Sequence, residues 1–174
     1  MLKNSKNMEK NFWKIGFPSI FMLIGLGVLY FGIQEYFTAK ESESWGYTNA
    51  IIVKSEVKKE VTREISTSSR VGGESITYKA DIEYKYELDG ISYRGNRVSY
   101  GETSTGDPKD AQKIVDKYPK DKMVYLYVSP NDPKEVVIEN GISNGVYFLP
   151  IFGLVFFLIG LGMFLAMRKW GFRS

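Results

Sequence analysis

Two long stretches without a charged residue limit what this chain can fold into. They run from Ile15 to Ile33 and from Gly145 to Met167, nineteen and twenty-three residues. At about 1.5 Å per residue, each would form a helix of roughly 28 to 35 Å, enough to cross the ~30 Å hydrocarbon core of a bilayer. Buried core helices are the alternative, but a protein of 174 residues has no core that could surround two of them. We therefore expect two transmembrane helices.

The first stretch has the position of a signal peptide, which would be removed. It is long for the apolar region of a signal peptide, and residues 34–37, Gln-Glu-Tyr-Phe, contain no small-residue cleavage pattern. We expect an uncleaved anchor. The expected organisation is a basic N-terminal segment, a helix, a β-rich domain, a second helix and a basic tail, at residues 1–14, 15–37, 38–144, 145–167 and 168–174.

Basic and aromatic residues at the outer ends of the two spans indicate the orientation. Lysines precede the first span and basic residues follow the second, so the positive-inside bias places both termini in the cytoplasm. The central domain then lies outside a plasma or inner membrane. The residues that we expect to anchor the chain at the membrane interface are Trp13, Lys14, Arg168, Lys169 and Trp170.

Both spans contain glycines at spacings that allow close helix packing. Gly25 and Gly32 are seven residues apart, as are Gly153 and Gly160, and Gly162 begins a small-xxx-small step. Small residues on one face let helix backbones approach each other in lipid. These glycines either pack the two spans together or join copies of the chain in a homo-oligomer, unless they reflect only the ordinary frequency of glycine in membrane helices.

The chain contains neither cysteine nor histidine. Their absence excludes disulfides, thiolate nucleophiles and sulfur-based metal sites, and it removes the commonest proton-transfer side chain and metal ligand. No serine has a histidine partner, and the glycine pairs have no phosphate-binding context. We therefore expect no catalytic, metal-binding or cofactor-binding residues, no cofactor and no enzymatic activity.

The net charge of +3 belongs to the flanks of the two spans. Residues 38–144 contain 16 basic and 18 acidic residues, so the central domain is slightly acidic. A domain of this charge without a basic stripe is not expected to bind nucleic acid. The lipid bilayer is the expected partner of the basic flanks.

An unbroken period-two alternation predicts a long strand in the central domain. From Ile76 to Leu88 every even residue is apolar or aromatic and every odd residue is polar. Asp89-Gly90 then predicts a two-residue type I′ turn, which would pair Leu88 with Ile91 and keep the apolar faces together.

The return strand changes phase at Gly95-Asn96. One extra residue there, a β-bulge, would bring Val98 and Tyr100 back to the apolar face. The ring of Tyr84 would then cover Gly95.

A helix and further strands complete the predicted domain. Asp107 is a good N-cap, Pro108 suits the first turn and Pro119 ends the helix. Its apolar stripe is Ala111, Ile114, Val115 and Tyr118. Strands are predicted at about residues 50–57, 123–128 and 135–139, and a long loop at residues 58–74.

These elements give a membrane α+β fold class. Two transmembrane helices flank a small, mainly antiparallel β-sheet with one helix packed on it. The sheet is expected to be either open or curled toward a small barrel.

The domain resembles an uncharacterised family of membrane proteins, the domain of unknown function 3592. The residues that carry the resemblance are Trp45, Tyr84-x-Tyr86-x-x-Asp89-Gly90-x-x-Tyr93-x-Gly95 and Tyr118-Pro119…Val124…Tyr127…Pro130-Asn131-x-Pro133. Ser129 and Lys120-Asp121 depart from the usual pattern of that family. The resemblance implies a membrane-tethered β-domain without an assigned activity, and it implies no catalytic residues.

Tyrosines are the most distinctive side chains of the central domain. Tyr86, Tyr93, Tyr125 and Tyr127 fall in neighbouring predicted strands. They either form an exposed aromatic recognition surface or pack in the core with their hydroxyl groups at its edge.

The function that these features favour is a non-enzymatic, membrane-anchored module that binds a protein or ligand outside the cytoplasm. Two alternatives stay open: an immunity protein that neutralises a toxin at the membrane, and an enzyme that uses carboxylates or tyrosine. Transport is disfavoured because two spans without an intramembrane charge provide no ion path.

Overall fold

The structure is a computed structural model that describes residues 16–63 and 74–171. The chain divides into two compact units, Met1–Thr38 with Val146–Ser174, and Ala39–Gly145. In chain order the elements are α1 Phe17–Glu41, β1 Gly46–Arg63, β2 Glu74–Leu88, β3 Ile91–Gly95, α2 Pro108–Lys117, β4 Met123–Val128, β5 Val136–Val137 and α3 Phe148–Gly171.

Helices α1 and α3 form the first unit and cover the two predicted spans. Both are long and apolar enough to cross a membrane. Only 17% and 11% of their most apolar stretches are buried within the protein.

Four of the five predicted packing glycines lie where the backbones of α1 and α3 approach each other. A Cβ atom on Gly25 would lie 2.5 Å from the backbone nitrogen of Phe157, and a Cβ atom on Gly153 would lie 2.5 Å from that of Leu29. A Cβ atom on Gly32 would lie 2.5 Å from the backbone nitrogen of Pro150 and one on Gly160 2.9 Å from that of Met22, whereas Gly162 has no atom of a neighbour within 4 Å. Gly162 therefore takes no part in this helix contact.

The second unit contains a five-stranded antiparallel sheet with the strand order β3-β2-β1-β4-β5. The sheet is open, because the outer strands β3 and β5 do not pair with each other. The expectation that the sheet curls toward a barrel is therefore wrong. A barrel must pair its last strand with its first, and the two residues of β5 pair only with β4.

Strand β1 is much longer than predicted. Lys58–Arg63, which were predicted to lie in a loop, continue the strand and pair with residues of β2, from Lys58 opposite Lys79 to Arg63 opposite Glu74. A β-bulge between Ile52 and Lys54 corrects the phase of the strand. Because of this bulge, the β1 residue that pairs with Tyr84 and the β1 residue that pairs with Ile82 lie on the same face of the strand.

The hairpin between β2 and β3 has the predicted register. Leu88 pairs with Ile91 and Tyr86 with Tyr93, and Asp89 and Gly90 have the positive φ angles of 50° and 77° that a type I′ turn requires. The predicted continuation beyond Gly95 is wrong, since β3 ends at that residue and the chain leaves the sheet.

Tyr84 explains why the chain can leave the sheet at Gly95. Its ring is fully buried and lies over Gly95, so that a Cβ atom there would be 2.5 Å from Cε2 of the ring. The Tyr84 hydroxyl donates a hydrogen bond to the carbonyl of Arg97, 2.9 Å away. Beyond this link Val98 and Tyr100 are buried without being part of a strand.

One face of the sheet forms the core, and α2 packs on it against β1 and β2. Asp107 caps α2 by accepting a hydrogen bond from the backbone N–H of Lys109 at 2.9 Å, as the sequence predicts. The buried residues of the core are Ala50, Ile52, Ala80, Ile82, Tyr84, Tyr86, Val98, Tyr118, Leu126, Val136 and Ile138.

The close cover of Gly95 by Tyr84 makes a side chain at this position costly. We expect Gly95→Ala to lower the free energy of unfolding by about 1–3 kcal/mol, because the added methyl group overpacks a filled site. Gly46→Ala is the matched control, since no atom lies within 4 Å of its added Cβ. Urea unfolding of the full chain in detergent micelles compares the two, and equal stability of both variants would contradict the packing of the ring.

The contact between α1 and α3 can be tested with introduced cysteines, because the chain has none of its own. The rings of Phe21 and Phe156 stack with centroids 5.7 Å apart, so a short thiol-reactive crosslinker should join cysteines placed at these two positions. We expect Gly25→Leu to reduce the crosslinking yield severalfold, since its side chain would meet the backbone of α3. Gly162→Leu should leave the yield unchanged, and a similar loss in both variants would argue against this contact.

Candidate functional site

The face of the sheet opposite the core carries an exposed group of apolar and aromatic side chains. Tyr47 lies opposite Tyr127, and Ile51 lies opposite Met123, so all four project from the same side of β1 and β4 as Tyr125. Tyr47, Met123 and Tyr125 are 70%, 67% and 64% exposed. The rings of Tyr47 and Tyr125 meet edge to face at 5.2 Å. We call these five residues the aromatic patch.

The four predicted recognition tyrosines lie on two different faces of the sheet. Tyr125 and Tyr127 belong to the aromatic patch. Tyr86 and Tyr93 stack at 5.4 Å on the core side, where Tyr86 is only 4% exposed and donates its hydroxyl proton to the carbonyl of Pro133. A single surface built from all four is therefore wrong, because the alternation along β2 and β3 turns Tyr86 and Tyr93 inward.

Tyr47, Ile51 and Met123 are the members of the patch that sequence analysis did not identify. The predicted strand began at Ala50, four residues after the first residue of β1, Gly46. The signal was present as an alternation in which Tyr47 and Ile51 share one face while Ala50 and Ile52 share the other.

Charged residues occupy the same face further along β1 and β2. The ammonium group of Lys54 lies 2.5 Å from Asp81, 3.2 Å from Glu56 and 3.9 Å from Glu83. Hydrogen bonds to Asp81 and Glu56 raise the pKa of Lys54 above its usual range. The lysine thus supplies the positive charge at the centre of this group, and within residues 16–63 and 74–171 no three carboxylates are arranged as metal ligands.

A polar cleft of about 410 Å³ lies between the end of β3 and the turn that follows β4. The Arg97 guanidinium lies 3.7 Å from Oε1 of Glu135 and 4.9 Å from the ring centre of Tyr100. The Tyr100 hydroxyl donates to the same Glu135 oxygen at 3.2 Å. Two of the charged residues that line this cleft, Arg97 and Glu135, are therefore engaged with each other.

A smaller cleft of about 270 Å³ lies beside α2 and is lined by three carboxylates, Glu102, Asp110 and Glu139. Glu102 accepts hydrogen bonds from the backbone N–H groups of Val98 and Ser99, at 2.5 and 2.8 Å. These bonds fix the carboxylate as a structural acceptor that holds the segment after β3.

Glu139 is held by two donors from the end of α2. It accepts hydrogen bonds from Lys117 at 2.7 Å and from the Tyr118 hydroxyl at 2.6 Å. Burial alone would raise the pKa of Glu139, but these two hydrogen bonds outweigh it and hold the pKa below its usual value. A general acid at neutral pH needs a carboxyl pKa shifted the other way, so this arrangement suits a structural ion pair.

The predicted membrane anchors are only partly covered by the structure. Arg168 and Lys169 lie in the last turn of α3. Trp170 is part of the same helix, and Trp13 and Lys14 lie outside the described residues.

Comparison with known proteins identifies the domain. The family model described as "Domain of unknown function (DUF3592)" matches residues 48–143. No curated protein matches the chain.

The hydrogen-bonded Glu139 makes the stability of the domain depend on acid pH. Its folded pKa lies below the unfolded value, so its contribution is present above the unfolded pKa and is lost as the pH falls through the folded pKa. We expect wild type to be more stable than Glu139→Gln at pH 6, and this difference to shrink below about pH 4.5. Thermal unfolding between pH 3 and 7 measures it, and a difference that stays constant with pH would contradict the prediction.

Proposed function

The chain belongs to the domain of unknown function 3592 family, and we propose that it is a membrane-anchored, non-enzymatic module that binds a partner protein outside the cytoplasm through the aromatic patch. The observation that carries the proposal is the exposure of Tyr47, Met123 and Tyr125 side by side on one face of the sheet. The membrane anchor in this proposal rests on the two apolar helices, and the non-enzymatic role rests on the hydrogen-bonded carboxylates Glu102 and Glu139.

The membrane anchor is supported by the two apolar helices. A core helix of a soluble protein is mostly buried, whereas the most apolar stretches of α1 and α3 are only 17% and 11% buried. Apolar side chains exposed along two helices of this length favour an apolar solvent. The basic residues beyond the outer ends of the helices favour cytoplasmic termini.

The composition of the aromatic patch favours a protein partner. Tyrosine and methionine are enriched in protein–protein interfaces, and tyrosine is frequent among the residues that dominate binding energy. Tyrosine offers a large apolar surface and a hydroxyl group at little cost in side-chain entropy. Three such side chains that are each more than 60% exposed are unusual on a surface without a ligand.

A non-enzymatic role agrees with the chemistry of the two clefts. Glu102 is fixed by two backbone N–H groups, and Glu139 is fixed by Lys117 and Tyr118. The pKa of Glu139 is shifted in the direction opposite to the one that a general acid needs. A toxin would be one case of the protein partner proposed here, and the identity of the captured protein distinguishes it.

The side of the membrane on which the domain lies is tested by labelling single cysteines in intact cells. We expect a membrane-impermeant maleimide to label Ser104→Cys in the domain and to leave Ser174→Cys unlabelled until the cells are opened. The unsubstituted, cysteine-free chain is the control for specificity. The reverse pattern would place the domain in the cytoplasm and contradict the proposal.

The patch is tested by replacing Tyr47 with the photo-crosslinking residue p-benzoylphenylalanine in cells. We expect a covalent adduct with a specific protein, and we expect Tyr125→Ala to lower its yield about tenfold, equivalent to about 1.4 kcal/mol of binding energy. The matched control places the crosslinker at Lys113, which is exposed on α2, away from this face. The proposal fails if both positions capture the same proteins or if position 47 captures only lipid.

A further inference from the structure

Strand β4 has an edge that β5 leaves largely unpaired. We propose that an extended segment of the partner protein binds there as an additional β-strand, in line with β5, and that the aromatic patch contacts the side chains of this strand. This inference rests on the proposed function and adds the mode of binding to it.

Hydrogen bonds around Ile52 show which way the backbone groups of β4 face. Ile52 donates to the carbonyl of Lys122 at 2.9 Å and accepts from the N–H of Asp121 at 2.8 Å, so its backbone faces the β4 side. In an antiparallel ladder, backbone groups two residues apart face the same neighbour. Ala50, two residues before Ile52, therefore faces its partner Val124.

The residues of β4 that alternate with Val124 must then direct their backbone N–H and C=O groups away from β1. Tyr127 does so, since it pairs with Val137 of β5, and Ser129 continues the pattern by donating to the carbonyl of Glu135 at 2.9 Å. Met123 and Tyr125 face the same way, but no strand lies opposite them. Within the part of the chain that the structure describes, no backbone hydrogen bond reaches them on that side.

The short length of β5 produces this gap. After Val137 the chain turns away from β4, and Glu139 donates its backbone N–H to the carbonyl of Val98 at 2.7 Å. A strand that continued the line of β5 would lie opposite Tyr125 and Met123. It would offer partners to two N–H groups and two carbonyl groups.

The chemistry of this edge selects an extended polypeptide. Unpaired N–H and C=O groups at the spacing of a strand are complemented by another strand, and this main-chain pairing is the basis of β-strand addition. The exposed side chains of Met123 and Tyr125 project beside it, so alternate side chains of the added strand would contact the aromatic patch. A lipid or small ligand has no such repeating pattern of donors and acceptors.

The other free edges of the sheet differ in their side chains. The edge of β1 beyond β4 carries Lys58, Lys59 and Glu60, and β3 carries Arg94. Charged side chains, lysine above all, are the usual protection of an edge against unwanted pairing. The part of β4 that faces the gap carries apolar residues instead, which favours it as the binding edge.

Proline substitution isolates the main-chain contribution. Proline is tolerated at the first residue of a strand and where the N–H faces outward, and Met123 meets both conditions. We expect Met123→Pro to lower the adduct yield of the Tyr47 crosslinker at least tenfold below that of Met123→Ala, because both variants lose the side chain and only proline lacks the N–H. The adduct is measured with full-length protein in intact cells.

A second proline serves as the matched control. Tyr78 exchanges hydrogen bonds with Thr105, so its backbone faces away from β1, and its partner Lys59 faces the free edge on the other side. Lys59→Pro also removes an outward N–H, but at the charged edge of β1, and we expect it to leave the adduct yield unchanged.

The outcomes separate the binding mode from the proposed function. A loss of adduct in Met123→Pro alone, with an unchanged melting temperature, supports strand addition. Equal yields in Met123→Pro and Met123→Ala overturn strand addition and leave the proposed function intact. No adduct from wild-type protein overturns both.

Amide exchange keeps the test valid if Met123→Pro does not fold. In the full chain in nanodiscs, the amide protons of Met123 and Tyr125 should exchange faster than those of Val124 and Leu126. Equal protection of all four would show that the edge is already paired and would overturn the inference.

Discussion

The domain depends on β1, which pairs with β4 over its first six residues and with β2 from Ala50 onward. Only around Ala50 and Ile51 does the strand lie between β4 and β2, and its buried residues Ala50 and Ile52 belong to the core. Beyond the bulge only β2 remains as a partner, since β4 begins at Met123 opposite Ile51. The offset between these two pairings leaves the edge of β1 beyond Ile52 free.

The two faces of the sheet divide the tyrosines by role. Those that face α2 fill the core and use their hydroxyl groups to hold loops, as Tyr86 does at Pro133 and Tyr84 at Arg97. Those on the opposite face belong to the aromatic patch, in which Tyr47 and Tyr125 are exposed and Tyr127 is half-buried. Tyrosine thus serves both packing and the proposed recognition. Because side chains alternate along a strand, the odd or even position of each tyrosine determines whether it faces the core or the opposite side.

Sequence patterns predicted the parts of the fold that depend on local interactions. The hairpin at Asp89-Gly90 has a two-residue turn that sets its own register, and the cap and apolar stripe of α2 lie within the twelve residues from Asp107 to Tyr118. The second half of β1 was missed because Lys58, Lys59 and Glu60 do not alternate with apolar residues. They are extended because β2 offers them a partner, and tertiary pairing of this kind overrides local preference.

The candidate site was only half predicted, for a related reason. Alternation shows which residues share a face, but the face that receives the helix follows from the packing of α2 on β1 and β2. The free edge at Met123 and Tyr125 could not be predicted from the sequence, because it results from the early end of β5. The exit of the chain at Gly95 likewise depends on how the Tyr84 ring fills the space, which a phase change in the sequence does not specify.

The tyrosine hydroxyl groups that hold the loops also set an alkaline limit on the fold. Burial raises the pKa values of Tyr84, Tyr86, Tyr100 and Tyr118, with Tyr100 at about 12, and the hydrogen bond to Glu139 adds to the effect at Tyr118. The folded domain therefore keeps protons that the unfolded chain releases near pH 10. Stability is full below that pH and falls as the pH rises toward the folded pKa values, with up to four protons released on unfolding. In strong base the same phenols that tie the loops to the sheet would drive the domain apart.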